Sequence, residues 1–136
     1  MNCIFCKIAN GEIPTNSLFE NENFRVILDA APANPGHALV LPKSHAGNIF
    51  EMSDELIKEG FSIAKKVAEA LKKAGLADGV NILQNNGEVA GQTVDHFHVH
   101  IIPRKEADGV VIKSETFKMT DEETSKVKET LFELLK

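Results

Sequence analysis

Three histidines alternate with apolar residues in the run HFHVHII, which occupies positions 96–102. Strict alternation is typical of a β-strand, in which successive side chains point to opposite faces of the sheet. The strand would place His96, His98 and His100 on one face, roughly 7 Å apart, because each residue rises about 3.3 Å. The apolar residues between them are expected to pack into the core, and Pro103 is expected to end the strand.

Apolar periodicity predicts the other elements of the fold. Further strands are expected at 24–28, 37–41 and 80–83, with a short helix at 3–10 and a long helix from 54 to about 73, capped by Ser53. A capping box at 120–123 predicts a last helix that runs to about 135. The apolar stripe of the long helix is expected to comprise Ile57, Phe61, Ala64, Ala68 and Leu71, and that of the last helix Val127, Leu131, Leu134 and Leu135.

These elements predict an α+β fold with a mainly antiparallel sheet, one long central helix and a C-terminal helix. The 136 residues fit one domain spanning 1–136. The net charge of −5 argues against a nucleic acid polymer as partner, which would require a basic surface. Apolar runs are too short for a membrane span, and the N-terminus lacks the pattern of a secretory signal. A cytoplasmic location is therefore expected.

The histidine cluster has two possible uses. A lone histidine is usually an ordinary core or surface residue, but three on one face are costly to desolvate without a function. They could bind one metal ion together, as in a zinc hydrolase. Alternatively, one is a nucleophile or base and its neighbours contact a phosphate. The neutral donors Asn85, Gln92 and Thr93 favour the second use.

Cys3 and Cys6 form a C-x-x-C pair at the N-terminus. In a reducing compartment such a pair indicates either a redox centre or half of a metal site. A thioredoxin-like pair would follow a strand and open a long helix, and this pair does neither. The metal site is therefore the favoured interpretation.

Several blocks of the sequence resemble the histidine-triad family. The run 96–102 matches its triad signature, and GQTV at 91–94 resembles the approach to it. Positions 27–29 and 35–45 resemble a loop and strand of the family, and 3–14 resembles the N-terminus of its bacterial Hit/Hint-like members. The resemblance covers roughly residues 2–104, and the tail from about 107 matches nothing in it.

The resemblance implies a role for individual residues. His98 would be the nucleophile, with Gln92, Thr93 and His100 around the phosphate and Asn85 near the ribose or phosphate. The Asp29 carboxylate would accept both ribose hydroxyls. Apolar side chains would line the base pocket, and His37 would join the substrate-binding residues. The resemblance also implies a structural zinc ion, one per chain. The implied base-pocket residues are Phe5, Ile8 and Ile27, and the implied zinc ligands are Cys3, Cys6, His45 and His96.

The implied substrates are purine nucleoside conjugates: phosphoramidates, aminoacyl adenylates or dinucleoside polyphosphates. Attack by His98 on the α-phosphate would form a nucleotidyl-histidine that water then hydrolyses. The resemblance further implies a homodimer that pairs through the long helix and a strand. Ile63 and Val67, beside the main stripe of that helix, could supply a second apolar surface. Two alternatives stay open: a nucleotide-binding partner protein without turnover, and a zinc metallohydrolase that uses the triad as ligands.

Overall fold

A computed structural model describes residues 2–136 as a five-stranded antiparallel sheet with helices on both faces. The strand order is β1-β2-β3-β5-β4, and every neighbouring pair is antiparallel. The predicted α+β class is therefore confirmed. The strands are β1 Ser17–Glu20, β2 Phe24–Leu28, β3 Ala38–Pro42, β4 Gly79–Leu83 and β5 Val99–Arg104, and the helices are α1 Ile4–Ala9, α2 Asp54–Lys73 and α3 Asp121–Leu134, with single 3-10 turns at Ile49–Glu51 and Glu88–Ala90.

The triad strand differs from the prediction at both ends. Strand β5 begins at Val99, because the Phe97 N–H donates to the Ala46 carbonyl instead of joining the sheet. It also continues through Pro103, whose carbonyl accepts from the Asn34 side chain on the side away from β4. The N–H that proline lacks would point to that same side, so the pairing with β4 loses nothing.

The sheet has one core on each face. Alternate residues of the central strands pack beneath α2, including Val40, Phe97, Val99 and Ile101. The intervening residues Leu39 and Leu41 face α1 and form a smaller cluster with it. Phe97, Val99 and Ile101 are completely buried, as the alternation predicted. The histidines between them therefore lie on the α1 face of the sheet.

Local signals set both ends of α2 where the sequence predicted them. The Ser53 hydroxyl accepts from the Leu56 N–H, and Gly75 follows the helix with a positive φ of 75°. The predicted stripe is wrong in one position, because Phe61 is 37% exposed and Ile63 is buried in its place. Ile63 and Val67 both pack against the core, so they do not form a second apolar surface. The buried face of α2 is therefore rotated about the helix axis relative to the predicted stripe.

The C-terminal segment forms a separate arm. Every residue from 111 to 136 is exposed, including the predicted apolar stripe of α3. The base of this arm is fixed, because the Arg104 guanidinium bonds the Asp108 carboxylate and the Val110 carbonyl. Beyond Val110 the arm buries none of its side chains against its own domain. Within residues 2–136, no helix combines the length and apolarity needed to cross a bilayer.

Candidate active site and metal centre

A cavity of about 250 Å³ lies on the α1 face of the sheet, where β2, β3 and the triad segment meet. Its lining combines many apolar side chains with a few polar ones, a composition typical of small-molecule sites. Thr93 also borders two larger neighbouring clefts. The lining residues are Phe5, Ile8, Thr15, Ile27, Leu28, Asp29, Ala30, Leu39, Thr93, Val94, His98 and His100.

His98 has a defined hydrogen bond on one ring nitrogen. Its Nδ1 lies 2.7 Å from the carbonyl oxygen of His96, which can only accept, so Nδ1 carries the proton. Burial lowers the pKa of His98, which keeps the ring neutral at pH 7. A neutral ring with its proton on Nδ1 has a lone pair on Nε2. His98 therefore offers an unprotonated nitrogen at the wall of the cavity.

His100 faces a histidine outside the triad. Its Nδ1 lies 3.0 Å from Nε2 of His37, and burial together with His98 and His37 lowers its pKa to about 4. Burial also lowers the pKa of His37. Both rings are therefore neutral at physiological pH, and the 3.0 Å contact is a hydrogen bond between neutral imidazoles.

Asp29 combines a turn contact with a place in the cavity. Its Oδ1 accepts from the Ala31 N–H at 2.9 Å, and its Oδ2 lies 3.5 Å from Nε2 of His37. The carboxylate is partly exposed and follows the end of β2 at the cavity wall. Each carboxylate oxygen can accept more than one hydrogen bond, so the turn contact leaves capacity for a ligand.

Gln92 has a different environment from the one implied by the resemblance. Its Nε2 donates to the Gly47 and Val94 carbonyls at 2.6 and 3.0 Å, and its Oε1 accepts from the Gly87 N–H at 2.8 Å. The side chain does not line the cavity. Both amide protons are used within the protein, so the expected contact from the Gln92 side chain to a phosphate, which would require it to exchange a partner, stays a prediction. The residue holds the loop before the triad in place.

Asn85 and Thr93, the other two residues expected near the phosphate, lie in different surroundings. Asn85 lies two residues beyond the end of β4 and outside the cavity lining, and its Nδ2 donates weakly to the Gly91 carbonyl at 3.4 Å. Thr93 is exposed at the cavity wall, and its hydroxyl has no hydrogen-bond partner among residues 2–136. Thr93 is therefore the neutral donor that remains available to a ligand.

Four side chains converge beside the cavity in a geometry suited to a metal ion. Nδ1 of His96 lies 3.4 Å from the sulfur of Cys3 and 3.4 Å from that of Cys6, and Nδ1 of His45 lies 3.3 Å from Cys6. Bond lengths of a tetrahedral zinc site predict about 3.5 Å between a sulfur and a nitrogen ligand. Nε2 of His96 donates to the Pro42 carbonyl at 2.9 Å, which leaves Nδ1 free as a ligand. Cys3, Cys6, His45 and His96 are thus positioned to bind a metal.

The triad does not converge on a single ion. His96 belongs with the cysteines, His98 bonds a backbone carbonyl, and His100 bonds His37. Among residues 2–136, no metal-sized cluster contains two triad histidines. The alternative of a zinc hydrolase with three triad ligands is therefore wrong.

The whole arrangement agrees with a known family. The family model of the HIT domain matches residues 10–107, which include all three triad histidines and every cavity-lining residue except Phe5 and Ile8. This chain belongs to the HIT, or histidine-triad, family. An uncharacterized HIT-like protein of Methanocaldococcus jannaschii is 50% identical over 88% of this HIT chain and 92% of its own length. An adenosine 5′-monophosphoramidase of Saccharomyces cerevisiae is 42% identical over 81% of the chain and 68% of its own length.

Solved structures of HIT proteins share the fold. A HIT family protein from Bacillus subtilis covers 98% of this HIT chain and 96% of its own, with 39% identity and a TM-score of 0.87. A Streptococcus mutans protein covers 100% of this chain and 87% of its own, with 39% identity and a TM-score of 0.93. A zinc-bound histidine-triad protein from Mycobacterium smegmatis covers 98% of this chain and 96% of its own, with 33% identity and a TM-score of 0.78.

Several residues of the site in this HIT chain were not expected from the sequence. Leu39 joins the apolar wall, and the alternation of β3 could have revealed it because its neighbours Ala38 and Val40 face the other side. Thr15 lies in the loop before β1 and has no local signal that marks it as part of a site. The backbone groups of Ala33 and Pro42, which bond the histidines, are equally invisible in a sequence.

Proposed function

We propose that this HIT protein is a hydrolase or transferase that acts on the α-phosphate of purine nucleoside conjugates through a nucleotidyl-His98 intermediate. The observation that carries the proposal is the tautomer of His98. A backbone carbonyl holds its proton on Nδ1, and a lone pair remains on Nε2 in a residue that lines the cavity. An imidazole in this state is prepared for attack without a separate base.

The reaction would proceed in two displacements. Nε2 of His98 attacks the α-phosphorus. A bond forms between phosphorus and Nε2, and the bond from phosphorus to the leaving nitrogen or oxygen breaks. The leaving group takes up a proton from water, and the negative charge of the phosphoryl group balances the positive charge of the imidazolium. Water then attacks phosphorus, the bond to His98 breaks, and the nucleoside monophosphate and a proton are released. Each step is easier than a direct displacement by water.

The apolar and polar residues that line the cavity support the substrate class. Phe5, Ile8, Ile27 and Leu39 offer an apolar surface for a base, and Asp29 offers a carboxylate for the ribose. Thr93 borders both this cavity and the larger clefts, which leave room for a leaving group. The adenosine 5′-monophosphoramidase among the relatives supports a nucleoside phosphoramidate as substrate.

A panel of conjugates at equal concentration tests the proposal. It contains adenosine and guanosine phosphoramidates, an aminoacyl adenylate and a dinucleoside polyphosphate. We expect release of the nucleoside monophosphate from at least one class, with no requirement for magnesium because protein groups stabilise the phosphate charge. Binding without turnover across the whole panel would instead establish a nucleotide-binding partner protein.

Asp29 is proposed to bind the ribose, and Asp29→Asn separates this role from its turn contact. Asparagine keeps an oxygen for the Ala31 N–H but removes the charge and the second acceptor oxygen. Affinity for adenosine monophosphate should fall by about 1.5–3 kcal/mol, the cost of hydrogen bonds to a charged group, or roughly 10- to 150-fold. Discrimination against the deoxyribonucleotide should fall as well.

Calorimetric titration with both nucleotides measures these effects. Asp78→Asn, a change at an exposed carboxylate outside the cavity, is the matched control and should leave both affinities unaltered. If Asp29→Asn binds both nucleotides like the unmodified protein, Asp29 is a turn residue only.

We further propose that the metal at Cys3, Cys6, His45 and His96 is structural zinc, one ion per chain. Two sulfur and two nitrogen ligands are a usual set for a closed zinc site, which has no open position for substrate. The zinc-bound relative supports the same metal. Both cysteines are free thiols, which fits a reducing compartment such as the cytoplasm.

A homodimer is proposed from two features of the surface. Strand β4 is an edge of the sheet, and edges of this kind are usually covered because their free backbone groups invite pairing. The arm from Val111 to Lys136 follows Val110, whose carbonyl shares the Arg104 guanidinium with Asn81 of β4, and the arm buries nothing on its own domain. The Streptococcus mutans structure covers 100% of this chain, the arm included. A second copy of the chain is the contact that would hold it.

Light scattering at micromolar concentration should give twice the 14.9 kDa chain mass for the full-length protein. A chain ending at Val110 keeps the contacts of Arg104. It should dissociate to monomers at a higher protein concentration than the full-length protein does. Leu131→Lys, on the apolar face of α3, should act in the same direction, whereas Lys128→Ala on the same helix should not. A monomeric full-length protein would refute the dimer, and an unaffected dimer of the shortened chain would refute the role of the arm.

A further inference from the structure

His37 lies outside the triad but contacts it directly. It follows the turn Asn34-Pro35-Gly36-His37, in which the His37 N–H donates to the Asn34 carbonyl and Gly36 has a φ of +97°. Proline second and glycine third suit a type II turn, which requires a positive φ at the third residue. The turn places the 6% exposed His37 diagonally across from His100 on the same face of the sheet, because β3 and β5 pair Leu39, two residues after His37, with His100.

One backbone amide fixes the proton of His37. The Ala33 N–H donates to Nδ1 of His37 at 3.0 Å. A ring nitrogen that accepts a hydrogen bond has no proton, so the single proton of the neutral ring is on Nε2. Protonation of Nδ1 would set two N–H groups against each other, so this contact also favours the neutral ring.

The proton of His37 then determines that of His100. Nε2 of His37 donates to Nδ1 of His100 at 3.0 Å, which requires Nδ1 of His100 to be unprotonated. The proton of the neutral His100 ring must therefore be on Nε2. His100 lines the cavity, and Nε2 is the ring nitrogen not occupied by His37.

We propose that His37 is a positioning residue that holds His100 as its Nε2–H tautomer, so that His100 donates to the phosphate or leaving group while His98 presents a lone pair. The inference rests on the proposed function for its catalytic part. Two histidines at alternate positions thus carry opposite tautomers. The His96 carbonyl sets one of them, and the Ala33 amide sets the other through His37.

The same chain of hydrogen bonds argues against a second metal ion. Asp29, His37 and His100 lie close enough to share a cation. However, Nε2 of His37 carries a proton and Nδ1 already accepts from Ala33, so His37 has no free lone pair to bind a metal. The proton on Nε2 is instead 3.0 Å from His100 and 3.5 Å from Asp29, which makes His100 its main acceptor.

Nitrogen-15 NMR of the zinc-loaded, full-length protein tests the tautomer without any turnover. Long-range couplings distinguish protonated from unprotonated ring nitrogens, and comparison with His100→Asn assigns the His100 signals. We expect His100 to be protonated on Nε2 at pH 7 in the unmodified protein. In His37→Leu, which keeps a buried side chain but removes the donor, His100 should become a mixture of tautomers. A His100 protonated on Nδ1 in the unmodified protein would overturn the proposal.

Kinetics of matched variants test the catalytic part. His37→Leu should lower kcat by roughly 10- to 100-fold, toward the range for loss of a positioned proton donor, with nucleotide affinity within about twofold. His37→Gln restores an N–H donor near the position of Nε2 and should recover most of the rate and the His100 tautomer. Equal losses in both variants with an unchanged His100 tautomer would show a packing role only. If no conjugate is turned over, the proposed function fails while the NMR result still decides the tautomer.

Discussion

His98→Asn is expected to abolish turnover, lowering the rate on the order of a thousandfold or more, while nucleotide binding stays within a few-fold of the unmodified protein. Asparagine keeps a polar side chain at the cavity wall but has no nitrogen lone pair that can attack phosphorus. His100→Asn should reduce the rate less, because it removes a donor and not the nucleophile. The measurement is steady-state turnover of a nucleoside phosphoramidate alongside calorimetric binding of its monophosphate product.

Rapid quenching with substrate labelled at the α-phosphate should trap label on the unmodified protein as an acid-labile adduct of His98. Two successive displacements retain the configuration at phosphorus, whereas direct attack by water inverts it. Inversion, or substantial turnover by His98→Asn, would show that the nucleophile is water. Thermal unfolding of each variant confirms that a lost rate does not reflect a lost fold.

As the pH falls, turnover should begin to decline only below the ordinary pKa of histidine. Burial lowers the pKa of His98, so its neutral, nucleophilic form persists as the pH falls through 6.5. Turnover should therefore decline only once the pH passes below the depressed pKa.

Removal of zinc should lower both stability and nucleotide affinity, with the larger effect on stability. A ligand that binds only the folded state at a thousand times its dissociation constant contributes about 4 kcal/mol, or roughly 10–20 °C in the midpoint of unfolding. Nucleotide affinity should fall because Phe5 lies between Cys3 and Cys6 and packs edge-on against His98, with ring centres 5.0 Å apart. The chemical step should change least, because His98 is not a ligand.

Elemental analysis, thermal unfolding and limited proteolysis of α1, before and after chelation, measure these effects. Zinc should restore the protein and magnesium should not, because the ligands include thiolates. Burial and the neighbouring Cys3 raise the pKa of Cys6 to about 11, so zinc must displace a proton and bind more tightly as pH rises. A metal-free protein that is equally stable and active would refute the structural zinc.

Local patterns in the sequence were sufficient for much of the fold. Ser53 and Gly75 define the ends of α2 through hydrogen bonds and backbone angles that involve only a few neighbours. The alternation at 96–102 correctly separated the core residues from the histidines, because strand geometry alone determines which face a side chain takes. The grouping of Cys3, Cys6, His45 and His96 came from a resemblance to a family, and the structure brings the four side chains together.

Other features depend on contacts between distant parts of the chain. The exchange of Phe61 for Ile63 in the core depends on how α2 rotates against the sheet. Gln92 was expected at the phosphate, but the carbonyl of Gly47, 45 positions earlier, occupies its amide.

The pairing of His37 with His100 spans 63 positions and exists only because β3 and β5 are neighbours in one register. The sequence by itself determined which residues could form strands, helices and a reactive cluster, since those preferences act over a few residues. Only the tertiary structure decided which ring nitrogen of each histidine holds its proton, because the deciding partners are backbone groups and side chains that folding brings close.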